Sequence, residues 1–441
     1  MKRTALFSMV LVACLAANVS AKPLAAGQVK LDGMKVTVVP ASQTVEITPL
    51  KVEPYEYDLV LPGGEPTWRT NPRLPVVAWT CGCLTPGSLE VMLADDSGTK
   101  LVEGKDYKVN YNWGSVTVVE GGKAPVGTKV HCKYTYTQSR IDLLERTPEG
   151  KVVVVEGKPD RNKPLLPEGT AGNTPLLSVY LGPNTTKLTM ANINLIDPEY
   201  DGVPPVLGAE YLKPVREKLK AGKPVTIAFL GDSITAQQPK DFADGKGSFV
   251  DRFTTYLKET YPDREVTVTD KGTVVEPQGS QIVIVKAGVG GNDSGQGLAR
   301  IDKDVLAHKP DAVVVMFGVN DENVKSHGAK NLVSTKQYGE NLTTIVEKVR
   351  GVGAEPVLMT TSMKMLAWSS TGGNLDEYAA TARQVAKAKK VCLVDNFKAW
   401  EDLPRRGYNY AVFLGTCINH PVDLGHDLFF RGLKAAFESG E

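Results

Sequence analysis

Three things are scarce in this 441-residue sequence: cysteine, with six residues, aromatic side chains, at 7% of the chain, and net charge, at +1. The charge balance and the cysteine pattern each remove a class of function. A near-neutral balance argues against nucleic acid as a partner, because phosphate binding needs a basic face. Past the first two dozen residues no apolar run is long enough to span a bilayer, so no membrane span is expected. Cys81-Gly82-Cys83 is too tight for the usual paired spacing of zinc ligands, and no metal site is expected. The run Gly288-Val289-Gly290-Gly291-Asn292-Asp293 lacks the third glycine of a dinucleotide fingerprint, and no cofactor is expected either.

The chain opens with Met1-Lys2-Arg3, an apolar run from Ala5 to Ala17, and the small-residue pattern Val19-Ser20-Ala21. This reads as a signal peptide over residues 1–21 of a secreted or periplasmic protein. Leu11-Val12-Ala13-Cys14 also fits a lipoprotein box, which would make the protein outer-membrane-anchored through a lipid at Cys14. Removing Lys2 and Arg3 with the leader takes the net charge from +1 to −1. Cys81, Cys83, Cys132, Cys392 and Cys417 then remain, an odd set for an oxidising compartment. Cys132 could pair with Cys81 or Cys83, and Cys392 with Cys417.

Residues 22–204 are β-rich. Short alternating runs at Leu89–Leu93, Tyr107–Tyr111, Val116–Val119 and Val130–Tyr136 are punctuated by Gly, Pro, Asn and Asp, with Tyr111-Asn112-Trp113-Gly114 as a hairpin turn. One or two β-sandwich-like modules are expected. The charged, then proline-bearing stretch from Arg140 to Lys163 either separates them or crosses as an extended strand.

Residues 205–441 change period. Apolar runs at Val225–Leu230, Ile282–Val285, Ala312–Phe317, Pro356–Thr361 and Val391–Val394 alternate with amphipathic stretches at Ser248–Thr260, Ser294–Ala307, Thr335–Arg350, Leu375–Lys389 and Leu424–Phe437. That alternation predicts an α/β fold with a doubly wound parallel sheet, and Glu265–Ser280 reads as an inserted hairpin.

Within this half, Phe229-Leu230-Gly231-Asp232-Ser233-Ile234-Thr235 runs a buried strand into a tight turn that opens a helix, placing Ser233 at the carboxyl end of a parallel strand. Alone, Ser233 reads more readily as a helix cap than as a nucleophile. Three further segments follow in order: Ala287-Gly288-Val289-Gly290-Gly291-Asn292, Phe317-Gly318-Val319-Asn320-Asp321 and Ile418-Asn419-His420-Pro421. Together, and through Gly297-Leu298-Ala299-Arg300, they resemble the SGNH, or GDSL-type, hydrolase family. The resemblance implies a flavodoxin-like sheet and a catalytic set: Ser233 as nucleophile and first oxyanion donor, Gly291 and Asn320 as further donors, and His420 as general base.

The family commonly places an Asp three or four residues before the histidine, where this chain has Cys417 and Thr416. Asp395, Asp423 or a backbone carbonyl are the substitutes the sequence offers, and a degenerate site is the remaining reading. His308 and His426 are expected to be structural. The polar loop from Glu322 to His327 and Trp368 among serines and glycines suit a sugar bearing a small acyl group. The expected function is therefore a secreted carbohydrate O-acetylesterase acting on acylated poly- or oligosaccharide. The alternatives are a lipase or thioesterase for longer chains and a non-catalytic carbohydrate-binding descendant. Trp68, Trp79 and Trp113 are either core residues or a sugar-binding surface.

Overall fold

The computed structural model describes residues 23–39, 42–67, 69–78, 82–95, 97–161, 163–326, 328–415 and 418–439. The leader read at 1–21 with Cys14, and Trp68, Trp79, Cys81, Thr416 and Cys417, lie outside the described residues.

The N-terminal half is built of antiparallel sheets. Strands β1 (Val29–Asp32), β2 (Lys35–Val38) and β3 (Gln43–Glu46) form one, followed by β4 (Val52–Val60), β5 (Glu90–Leu93), β6 (Tyr107–Asn110), β7 (Ser115–Val118) and β8 (Lys129–Thr137). Then come β9 (Arg140–Arg146), β10 (Val152–Val155), β11 (Thr174–Leu181) and β12 (Ile193–Leu195), which pair in the order β10-β9-β11-β12. Val36, Val38, Leu144, Val152, Leu177 and Val179 join the first and last of these sheets in one core. A second core, with Leu59, Val91, Tyr107, Val116, Val130 and Tyr134, belongs to the strands between. One β-sandwich-like unit is thus inserted between the third and ninth strands of the other.

The Arg140–Lys163 stretch begins with the central strand β9. Arg140 makes a buried two-pronged pair with Asp142, with both contacts at 2.8 Å, and Gly157 donates to the same carboxylate at 2.9 Å. A charged sequence is buried here because each charge meets a partner. Cys132 and Cys392 are buried thiols outside any disulfide, which corrects both suggested pairings.

The C-terminal half carries β13 (Val206–Leu207), β14 (Val225–Gly231), β15 (Val266–Asp270), β16 (Ile282–Gly288), β17 (Ala312–Met316), β18 (Glu355–Met359) and β19 (Cys392–Val394) in one seven-stranded sheet, ordered β13-β19-β18-β17-β14-β16-β15. All pairs are parallel except β13 with β19. Setting aside the edge strands β13 and β15, the order is the flavodoxin-like 2-1-3-4-5. Every residue of β14 and β17 is buried, which explains their unbroken apolar sequences. Expected as part of a hairpin, Val266–Asp270 instead adds to the sheet edge in parallel register with β16.

The helices are α1 (Lys213–Lys220), α2 (Ser233–Ala236), α3 (Phe249–Thr260), α4 (Ser294–Asp304), α5 (Thr335–Gly351), α6 (Leu375–Lys389), α7 (Asn396–Glu401) and α8 (Asp423–Glu438). Helices α3 and α8 pack together, with Phe253 and Phe437 ring centroids 4.9 Å apart, while α4, α5 and α6 form a second neighbouring set. Phe229 of β14 meets Phe249 and Phe253 of α3, each at 6.0 Å.

Candidate active site

Strand β14 sits where the chain order reverses, between β16 and β17, and all three end on the same side of the sheet. Open α/β sheets collect their ligands in that crevice. Asp232 caps α2 by accepting from the Ile234 N–H at 2.9 Å, and Ser233 is the first helical residue. Its Oγ lies 2.9 Å from Nε2 of His420. The loop from β16 passes close by: a Cβ on Gly288 would stand 2.5 Å from the Ala236 nitrogen and 2.8 Å from the Thr235 carbonyl carbon. Only glycine permits that approach. Gly291, at φ +77°, takes the left-handed turn that follows.

Arg300 ties these pieces together from α4. It donates to the carbonyls of Gly231 and Ala287 and to Oδ1 of Asn292, each at 2.8 Å. Asp321 does the same from the β17 turn, accepting from the Gly318 N–H at 3.0 Å and from the backbone and hydroxyl of Ser294. Burial raises Asp232 to about 7 and Asp321 to about 6. These carboxylates hold backbone rather than face substrate.

Asn320 is held at both ends of its amide. Its Nδ2 donates to the Asn292 carbonyl at 3.0 Å, and its Oδ1 accepts from Asn323 Nδ2 at 3.3 Å. Asn323 Oδ1 accepts in turn from Lys364 Nζ at 2.8 Å. Lys364 also donates to the Val319 carbonyl at 3.1 Å and pairs with Glu322 in the interior. This relay fixes which way the Asn320 amide faces, leaving its second N–H for a ligand.

The structure places Ser233, Gly291 and Asn320 in the turns after β14, β16 and β17 and brings His420 to Ser233 from the loop before α8, and it does not bring the two suggested acids with them. Asp395 caps α7, pairs with Arg383 at 2.7 Å and accepts from Thr360. Asp423 pairs with Lys163 at 3.2 Å and accepts from the Asp244 N–H at 3.4 Å. Among the described residues no carboxylate hydrogen-bonds to His420. Burial holds its pKa below the ordinary imidazole value, and the charge of Asp241 opposes that shift. Asp241 carried no sequence signal, since it lies outside every motif.

Trp368 is not an open platform. It is 8% exposed and packs with Trp113 and Ile418, while the Lys364 ammonium stands 5.4 Å from its ring centroid. His426 is buried among Phe242, Phe249 and Phe429. It accepts from the Phe249 N–H at 3.0 Å and donates to Gln237 Oε1 at 2.9 Å, as a neutral packing residue must. His308 is buried at the end of a short turn after α4.

Residues 229–428 match the sequence model of the GDSL-like Lipase/Acylhydrolase family. Over these residues the chain carries a segment similar to GDSL-type, or SGNH, hydrolase domains. The C-terminal half is similar to an acetylxylan esterase of Geobacillus stearothermophilus, 25% identical over 224 residues that make up 48% of this chain and 94% of that one. It is also similar to the uncharacterized lipoprotein YqeF of Bacillus subtilis (strain 168), 32% identical over 134 residues. That match takes in 26% of this chain and spans about half of the lipoprotein, 55%. Among solved structures, a lipase/acylhydrolase from Enterococcus faecalis is 22% identical with a TM-score of 0.36, covering 48% of this chain and 95% of its own. No helix among the described residues is long and apolar enough to cross a membrane.

Proposed function

We propose that this chain is a secreted serine esterase that removes small acyl groups, acetyl above all, from carbohydrate. The observation that carries the reading is the 2.9 Å approach of Ser233 Oγ to His420 Nε2. In the proposed reaction the ester carbonyl carbon is attacked by Ser233 Oγ as its proton passes to Nε2 of His420. The N–H groups of Ser233 and Gly291 and the free N–H of Asn320 receive the oxyanion, where charge develops and fixed dipoles act most strongly. Protonated His420 then gives its proton to the sugar oxygen as its bond to the acyl carbon breaks, and in the second half a water that loses its proton to His420 attacks the acyl-enzyme, releasing the carboxylic acid while Ser233 regains its proton. Asp241 favours the protonated ring by charge, so the pair works as a dyad with electrostatic help.

The acetylxylan esterase relative and the polar loop after Asn320 support a small acyl group on a sugar. In this reading residues 205–441 are the hydrolase unit, residues 22–204 an accessory unit, and residues 1–21 a cleaved leader, with a lipid anchor at Cys14 as the alternative.

The test is hydrolysis of p-nitrophenyl acetate, butyrate and octanoate, and of acetylated xylo-oligosaccharide, by wild type, Ser233→Ala and His420→Ala. Acetate-selective turnover lost in both variants is the expected result. Octanoate preference overturns the small-acyl reading, and wild-type turnover no greater than that of Ser233→Ala overturns the esterase reading itself.

A further inference from the structure

The N-terminal region touches the His420 loop from two directions. On one side Trp113, at the tip of the β6–β7 hairpin, is 4% exposed and shares one buried cluster with Trp368 and with Ile418, two residues before His420. The hairpin tip is itself held: the Trp113 N–H donates to the Asn110 carbonyl at 3.2 Å, and the Leu74 N–H to the Gly114 carbonyl at 2.8 Å. The Ile418 carbonyl accepts from the Met365 N–H at 2.8 Å, which joins the Trp368 loop to the His420 loop. On the other side Lys163 pairs with Asp423, three residues after His420, at 3.2 Å. Between these two contacts the loop closes on itself, with the Gly415 N–H donating to the His420 carbonyl at 3.0 Å.

A general base normally owes its orientation to a buried carboxylate on its second nitrogen, whose loss costs ~10⁴ in turnover. Among the described residues no such carboxylate meets His420, so the aim of the ring rests on the backbone that carries it. We infer that the β-rich region supplies this aim: Trp113 and Lys163 are positioning residues for His420, gripping its loop on both shoulders. The inference rests on the esterase reading above. It assigns residues 22–204 a role in turnover independent of any sugar binding. The same cluster also reaches the oxyanion side, because Trp368 lies beneath Lys364, which orients Asn323 and through it Asn320.

The experiment uses the full chain and compares Trp113→Ala, Trp113→Leu, Trp113→Phe and Lys163→Met with wild type. Steady-state kinetics on p-nitrophenyl acetate and the rate of Ser233 labelling by a fluorophosphonate are measured, with folding checked by circular dichroism and thermal midpoint. Misplacement of a reacting group by 1 Å can cost ~10²-fold. We expect kcat of Trp113→Ala to fall by between about 10- and 100-fold, with KM within about twofold and labelling slowed in parallel. Trp113→Phe should recover most of the rate, and Lys163→Met should lose about three- to tenfold. Should Trp113→Ala not fold, Trp113→Leu, which keeps an apolar side chain in the cluster, is read in its place with the same expectation. Folded Trp113 and Lys163 variants that keep wild-type kcat and labelling overturn the positioning role while leaving the esterase intact. A wild type inert to both ester and fluorophosphonate overturns the esterase reading, and the positioning role with it.

Discussion

Replacing Lys364 with methionine tests whether the turn carrying Asn320 is braced from within. The Lys364 side chain is 2% exposed and that of Glu322 is fully buried. The ammonium serves the Val319 carbonyl, Asn323 Oδ1 and Glu322, while Glu322 Oε1 also accepts from the Thr371 hydroxyl at 3.1 Å and the Asn374 N–H at 3.2 Å. Deleting one partner of a buried pair strands the other, at a typical cost of about 3–5 kcal/mol. The remaining donors to Glu322 offset part of that, which puts the expectation at about 3 kcal/mol. Urea unfolding followed by tryptophan fluorescence reads the change as a lower midpoint at constant slope. The variant Lys364→Met/Glu322→Gln removes the stranded charge and should recover at least about 1 kcal/mol. In the folded enzyme Asn323 loses its anchor and the Asn320 amide is freed to turn. Turnover should then fall toward the ~10²–10³-fold that loss of a whole oxyanion donor costs, with KM little changed. A destabilisation below about 1 kcal/mol, or a double variant no more stable than the single, would refute the account of the pair as a brace.

Other expectations follow from the same geometry. A general base must be neutral to accept a proton, and burial holds His420 below its ordinary pKa, so kcat/KM should stay on its plateau as pH falls through ~6.5 and drop only at lower pH. Asp241→Asn should move that acid limb lower still and reduce kcat; a wild-type limb above ~6.5 contradicts the burial argument. Gly288→Ala forces a Cβ onto the backbone of Thr235 and Ala236, so it should cost about 1–3 kcal/mol of stability and displace Ser233 enough to lower kcat at least tenfold; wild-type labelling of Ser233 in this variant counts against the close approach. His426 is buried and held well below its ordinary pKa, so above ~6.5 it contributes no pH dependence, and below that value the unfolded chain gains a proton that the folded one resists. The stability difference between wild type and His426→Gln should therefore shift against wild type by up to about 1.4 kcal/mol per pH unit on acidification, and a flat difference in chemical-denaturation curves from pH 7 to 5 would contradict it.

The parallel sheet was legible because strands buried on both faces have no polar alternation to confuse them, as β14 and β17 illustrate. The turns that carry Ser233, Gly291 and Asn320 were legible as turns because each comes soon after a buried apolar strand in sequence. What escaped were contacts between distant segments. Arg140 and Asp142 look solvated in sequence and are buried as a pair, so a central strand resembled a linker. The edge strand Val266–Asp270 carries three threonine or aspartate side chains among two valines, too polar a pattern to separate from a hairpin. Trp368 read as a surface platform, while Trp113 read as core or as a sugar-binding surface. Only their meeting with Ile418 across the fold turns them inward.

The inserted β unit leaves the chain where it entered it, since Val52 at its start is paired with Thr137 at its end. A segment with adjacent ends can be lengthened, exchanged or lost without reaching into the sheet that hosts it. Because that segment carries Trp113, it offers evolution a cassette for retuning the rim of the site, while Arg300 and Asp321 preserve the strand ends beneath.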